Sequence, residues 1–344
     1  MSDNIDPHFD EEKLLKLPRG RVLEKQRGEY RVLFETREIL CGIRSRLRKE
    51  LVYPESRQRR QSVDQIRGIS QVDPVAVGDF VRFETTDENP ELGVIHSVDS
   101  RKNQLSRRDP GPRPRENVIC SNVDYLVLVV SIQKPIIKTQ TIDRFMLAGA
   151  WEDIPTILVF NKMDLAGKGD IEKQREIFKH SQCRIAPTSA LTGDGVDELY
   201  DLMRGRTSVF VGPSGTGKST LLNRIQPGLK LRTQQISFKS SRGKHTTTHL
   251  EAFPLDDGGL IVDTPGIKSL ALWNLDPEEL ITLYPEIAPQ EGKCKFGASC
   301  KHQTEPGCAV KDAVTRGEIH PERYESYISI HADLEMLYGK DYID

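Results

Sequence analysis

The sequence predicts a multidomain chain: a small β-barrel, a central α/β domain on a mostly parallel sheet, and a C-terminal metal-binding region with helices. Three observations carry this. Short glycine-punctuated β-runs fill residues 20–108, apolar strands alternate with patterned helices from Val118 onward, and three cysteines with a histidine cluster between Cys294 and Cys308. The 344 residues suit two or three domains. The expected boundaries are 1–19 for a flexible extension, 20–110 for the barrel, 111–272 for the α/β domain and 273–344 for the C-terminal region.

Composition narrows the class. Charged residues make up 29% and hydrophobic ones 37%, as in soluble globular proteins. Residues 19–67 hold 14 Lys and Arg against 7 Asp and Glu, and residues 281–344 hold 7 against 11. A basic N-terminal third implies a surface that meets a polyanion. No apolar run reaches the ~18–20 residues that span a bilayer. The polar, acidic residues 1–12 do not read as a signal peptide, so the expected setting is cytoplasmic, without membrane contact. Cys41, Cys120 and Cys183 stand apart and read as small core residues.

The barrel is expected from β-runs at 31–35 and 80–84, with Gly28, Gly42, Gly68 and Gly78 marking turns between short strands. Residues 107–115 set four arginines among four prolines and glycines, the composition of a linker or surface loop. Strands are then expected at 123–132, 156–160, 208–211 and 260–262, and helices at 139–150, 170–180 and 196–203. This alternation gives a parallel sheet covered on both faces. Residues 321–338 have helical period.

Gly212-Pro213-Ser214-Gly215-Thr216-Gly217-Lys218-Ser219 follows a β-run and opens a helical stretch with Thr220. It fits the G-x-x-x-x-G-K-S/T loop, whose amides wrap phosphate oxygens at a helix N-terminus. Lys218 is expected on the β- and γ-phosphates and Ser219 on Mg²⁺. Asp263-Thr264-Pro265-Gly266 closes a later buried strand; Asp263 suits the same Mg²⁺ and the Gly266 amide suits the γ-phosphate.

Asn161-Lys162-Met163-Asp164 and Ser189-Ala190 each end a strand. The Asp164 carboxylate can accept from both N1 and N2 of guanine, a donor pair that adenine lacks. Asn161 can brace the loop, Lys162 can lie along the base, and Ala190 lets an amide approach the guanine oxygen. These motifs precede the phosphate loop, whereas the usual order places them after it. The expectation is a circularly permuted GTP-binding domain, with GTP and GDP as ligands.

Between the phosphate loop and Asp263 runs Arg242-Gly243-Lys244-His245-Thr246-Thr247-Thr248, the natural switch. Thr247 is assigned to Mg²⁺ and the γ-phosphate, with Thr246 and Thr248 as alternative registers. Ile267 stands where many GTPases place a water-orienting Gln, so His245 is assigned to the attacking water, with Lys218 and Thr247 beside it as catalytic residues. Cys294, Cys300, His302 and Cys308 form a Cys₃His set suited to one structural Zn²⁺.

Together these motifs resemble the RsgA (YjeQ, EngC) family of small-ribosomal-subunit GTPases, over roughly residues 20–330. The resemblance implies an OB-fold barrel, a permuted GTPase domain and a zinc-binding C-terminal domain. It implies a GTP phosphohydrolase that acts in late maturation of the small subunit, with that subunit and its rRNA as partner, and a monomeric chain. It also supports His245 as the catalytic histidine and Thr247 as the switch threonine. The other reading is a GTP-gated RNA-binding scaffold whose hydrolysis is incidental.

Overall fold

A computed structural model describes residues 11–26, 28–43, 74–86, 88–108, 116–227, 250–264 and 275–341. The chain packs as two compact units, one of residues 1–123 with 249–253, the other of 124–248 with 254–344.

The first unit opens with helix α1 (Glu11–Lys16) and continues as a barrel of β1 (Arg19–Gln26), β2 (Glu29–Phe34), β3 (Arg37–Ile43), β4 (Phe80–Thr86) and β5 (Asn89–Val98). The ladder runs β1-β2-β3-β5-β4, and β4 pairs back to β1, which closes it. Only the β3–β5 step is parallel. Alternation explains the strands: in β2, Tyr30 and Val32 point inward while Glu29 is exposed. They meet Val22, Ile39, Cys41, Val75, Val81, Phe83 and Ile95 in one core. Gly20 is required by closure, because a Cβ there would lie 2.3 Å from Val32 Cγ1. The barrel expected from the sequence is present, and Cys41 and Cys120 are buried as expected.

Two features of this unit were not expected. Strands β6 (Gln104–Arg108) and β7 (Glu116–Ser121) form an antiparallel pair, so Arg107 and Arg108 end a strand opposite Asn117 and Glu116; residues 109–115 lie outside the described residues. Strand β12 (Glu251–Pro254) joins β1 through the Glu24–Glu251 pair, with Arg31 salt-bridged to both carboxylates.

The second unit is a parallel sheet of β8 (Tyr125–Ser131), β9 (Thr156–Asn161), β10 (Arg184–Pro187), β11 (Thr207–Val211) and β13 (Leu260–Asp263). Its order is β10-β9-β8-β11-β13. Helices cover both faces, so the strands read as unbroken apolar runs; Leu126 to Val130 are all buried. The connecting helices are α2 (Thr139–Trp151), α3 (Asp170–Ile177), α4 (Val196–Met203) and α5 (Lys218–Ile225). Helix α3 stops three residues short of the expected 180.

After 3₁₀ turns at Pro277–Leu283, Ala288–Gln290 and Gly297–Ser299, the chain forms α6 (Ala309–Thr315) and α7 (Pro321–Asp341). Asp276 caps the first turn by accepting from the Glu278 amide at 3.0 Å. Helix α7 lies along α2, where Gln140 donates to Ser329 at 2.7 Å and Arg144 pairs with Asp333. The centre of this joint is ionic and buried. Arg323, 3% exposed, pairs with Asp143 and with Glu286 at 2.7 Å, over the Tyr284 ring at 4.7 Å. No helix among the described residues is long and apolar enough to cross a membrane.

Candidate nucleotide site and metal centre

The C-terminal ends of parallel strands β9, β10, β11 and β13 share one edge of the sheet. That edge is where open α/β sheets bind ligands. The loops carrying Asn161, Ser189, Gly212 and Asp263 all leave from it.

The phosphate loop leaves β11 at Gly212, whose φ is +147°; a Cβ there would meet the Val129 carbonyl oxygen at 2.2 Å. Pro213 and Gly215 carry the turn, and Thr216 Oγ1 closes it by donating to the Pro213 carbonyl at 3.0 Å. Gly217, at φ +89°, starts α5, so the free amides of the first turn lie behind the loop. Ser214, Ser219 and Thr220 are exposed, leaving their hydroxyls accessible. Lys218 is half-buried and its ammonium contacts Asp263. That ammonium shows that the Asp263 carboxylate faces the loop and takes a cation. Ser219 and Asp263 are the described oxygen donors that the sequence assigns to Mg²⁺.

The base-reading loops are joined to this cradle through Asn161. Its side chain is buried; Nδ2 donates to the Thr216 carbonyl at 3.0 Å, and Oδ1 accepts from the Ala190 amide at 3.0 Å and Thr188 Oγ1 at 3.3 Å. Lys162, left-handed at φ +65°, donates from Nζ to the carbonyls of Gly215 and Lys134, each at 2.6 Å. Its stem is thereby laid across the loop. Asp164 is exposed, and Ser189 Oγ donates to its Oδ1 at 2.6 Å. Backbone bonds from Met163 to Thr188 and from Thr188 to Phe160 lock the two loops.

Every predicted nucleotide residue that is described falls on this one edge. His245, Thr246, Thr247 and Thr248, together with Gly266 and Ile267, lie outside the described residues, as does the basic run 44–67. Sequence reasoning missed three contributors: the Thr188 hydroxyl, the Lys134 carbonyl and Arg224. Thr188 was adjacent to a motif and legible; the other two act through contacts no local pattern announces.

The second cluster sits in the C-terminal region. The ligand atoms of Cys294, Cys300, His302 and Cys308 lie within 4.8 Å of one another, and all four residues are buried. Cys294 Sγ stands 3.5 Å from His302 Nδ1 and 3.9 Å from Cys308 Sγ, and His302 Nδ1 is 3.4 Å from Cys308 Sγ. A tetrahedral Zn²⁺ with Zn–S of about 2.3 Å and Zn–N of about 2.0 Å demands edges of roughly 3.8 and 3.5 Å. The donor set fits zinc. The Ala309 amide donates to Cys294 Sγ at 3.3 Å, and Tyr324 fixes the His302 backbone through its carbonyl at 2.6 Å. Burial pushes the Cys300 thiol up to about 12 and lowers His302, so a metal's charge is what would hold these sulfurs as thiolates.

Comparison with known proteins gives the chain its relatives. The RsgA GTPase family model matches residues 98–273. A Flavobacterium psychrophilum protein named small ribosomal subunit biogenesis GTPase RsgA is 38% identical over 281 residues, 80% of this chain and 86% of its own length. A Chlorobaculum parvum protein of the same name is 40% identical over 267 residues, 76% of this chain and 86% of its own. Among solved structures, YjeQ from Thermotoga maritima superposes with a TM-score of 0.69 at 34% identity, covering 92% of this chain and 98% of that one. YloQ, described as a circularly permuted GTPase, gives 0.66 at 28% identity, covering 96% and 98%.

Proposed function

The chain belongs to the RsgA GTPase family, and on that premise we propose that it binds GTP at the edge built around Asn161, hydrolyses it to GDP and phosphate, and serves late maturation of the small ribosomal subunit. The observation that carries the reading is the Asn161 side chain, which fastens the base-reading loops to the phosphate loop.

In this site, Asp164 accepts from guanine N1 and N2, Lys162 covers the base, and the Ala190 amide meets the guanine oxygen. The amides of 213–220 wrap the phosphates. Lys218 exchanges Asp263 for the β- and γ-phosphates. Ser219, Asp263 and Thr247 would hold Mg²⁺, which would neutralise charge developing on the phosphates. His245 orients the water whose oxygen bonds to the γ-phosphorus as the bond to the β-phosphate oxygen breaks. The zinc centre is structural. The basic N-terminal third supplies a surface for rRNA backbone, with binding that weakens as salt rises. GTP and ribosomal subunits make the cytoplasm its compartment.

A scaffold whose hydrolysis is incidental is favoured by one observation, the apolar Ile267 at the sequence position where many GTPases carry a water-orienting Gln. Single-turnover hydrolysis with and without isolated small subunits separates the readings, alongside co-sedimentation with each nucleotide. Stimulation by small subunits alone supports the enzyme. Subunit binding that depends on GTP without any stimulation supports the scaffold. No binding to small subunits removes both.

A further inference from the structure

Helix α5 begins at Lys218, at the end of the phosphate loop, and its last turn reaches the loop after Ser189. Two turns along it, Arg224 Nη2 donates to the Thr192 carbonyl at 3.1 Å. The guanidinium lies against Gly193, where a Cβ would fall 2.4 Å from Nη2, 3.2 Å from Cζ and 3.3 Å from Nε. Gly193 has a φ of +100°, so the backbone there is already one that favours glycine. Any side chain at this position would meet the guanidinium.

The contact continues inward. The Thr192 amide donates to Ser189 Oγ at 3.2 Å, and Ser189 Oγ donates to Asp164 Oδ1 at 2.6 Å. The loop between is stiff: Gly193 N bonds the Ser189 carbonyl at 2.8 Å, and Ser189 N bonds the Asp194 carbonyl at 2.9 Å. A relay of contacts therefore runs from helix α5 to the carboxylate assigned to guanine, carried across the backbone of Thr192. Its donors and acceptors agree in sense at every step, since Ser189 Oγ uses its lone pair on Thr192 and its one proton on Asp164.

We infer that Arg224 is a positioning residue for base specificity: it holds Thr192, and through Ser189 it aims the Asp164 carboxylate at the exocyclic amine of guanine. This rests on the reading of Asp164 as the guanine acceptor. Arg224 touches neither phosphate nor base in this chain of contacts. Its effect is the orientation of Asp164, which the Asn161 bracing does not fix. A carboxylate free to turn still accepts from N1 but loses the alignment that serves N1 and N2 together.

The test compares GDP with IDP, whose hypoxanthine lacks the 2-amino donor, by calorimetry at fixed Mg²⁺ on the full chain. Wild type should prefer GDP; equal binding would overturn the Asp164 reading and the inference with it. R224A should cut the GDP-over-IDP preference about threefold, the size of one exposed hydrogen bond. R224K, which can still donate to the Thr192 carbonyl, should restore most of it. R224A combined with S189A should fall no further than S189A alone, because both break one chain. A merely structural arginine would weaken both nucleotides equally and leave the preference at the wild-type ratio. That outcome, or additive losses in the double variant, overturns the assignment.

Discussion

Asn161 and Thr216, 55 residues apart in sequence, are joined by a buried hydrogen bond of 3.0 Å from the side-chain amide to the backbone carbonyl. The bond crosses from the end of β9 to the turn before α5. It explains Gly217 as well: a Cβ there would lie 2.4 Å from Asn161 Nδ2. The motif order along the chain can be permuted because this contact, rather than connectivity, brings the base loop to the phosphate loop.

N161A therefore strands three buried groups, the Thr216 carbonyl, the Ala190 amide and the Thr188 hydroxyl. Leaving one such group unpaired costs about 1–3 kcal/mol; the free protein bears most of the total, and a share the size of one group falling on the bound state lowers GDP affinity about ten- to a hundredfold. Titration calorimetry checks it. An unchanged Kd would mean that the loops are held together by something else.

One zinc per chain is expected by elemental analysis of the purified protein. C308S should lose that metal and unfold the C-terminal region, because Cys294, Cys300 and Cys308 share a core with Tyr284, Tyr327 and Ile330. Structural zinc contributes on the order of 10 kcal/mol in small domains, so chelation should act like the substitution. Metal-free wild-type protein that melts like the untreated protein would refute the centre.

The barrel and the parallel sheet were legible because one physical period, side-chain alternation in β2 or unbroken burial in β8, writes itself into local sequence. The candidate nucleotide residues could be named from sequence because phosphate and guanine chemistry asks for particular residue types at short spacings. What stayed hidden depends on long-range pairing. Arg323 and Asp143, separated by 180 positions, look like ordinary surface charges on two helices, yet the sheet brings them into a buried contact. Strand β12 was hidden similarly, since its pairing with β1 is decided by Glu24 and Arg31, far back in the chain.

The Arg323 site makes its own prediction. R323M removes a buried cation and leaves Asp143 and Glu286 facing each other without it. Breaking a buried pair on one side costs about 3–5 kcal/mol. Urea denaturation should show a loss of that size, with α7 released from α2. A loss under 1 kcal/mol, the worth of an exposed pair, would show that water reaches the joint.

The same site gives a pH dependence of definite sign. Burial pushes the Asp143 carboxyl up to about 6, against the downward pull of Arg323. An unfolded aspartate titrates near ~3.9. Between these values the native chain holds a proton that the unfolded chain has released, so stability contributed by this group falls as pH rises from about 4 to about 6. Above that window both states are ionised and the dependence levels off. D143N carries no titrating group and keeps a hydrogen-bonding shape. Subtracting its urea-unfolding free energies from those of wild type cancels the other carboxylates. The difference should decline with rising pH across the window and then stay flat. Parallel curves from pH 4 to 7 would mean that Asp143 titrates alike in both states, and that Arg323 fully offsets its burial.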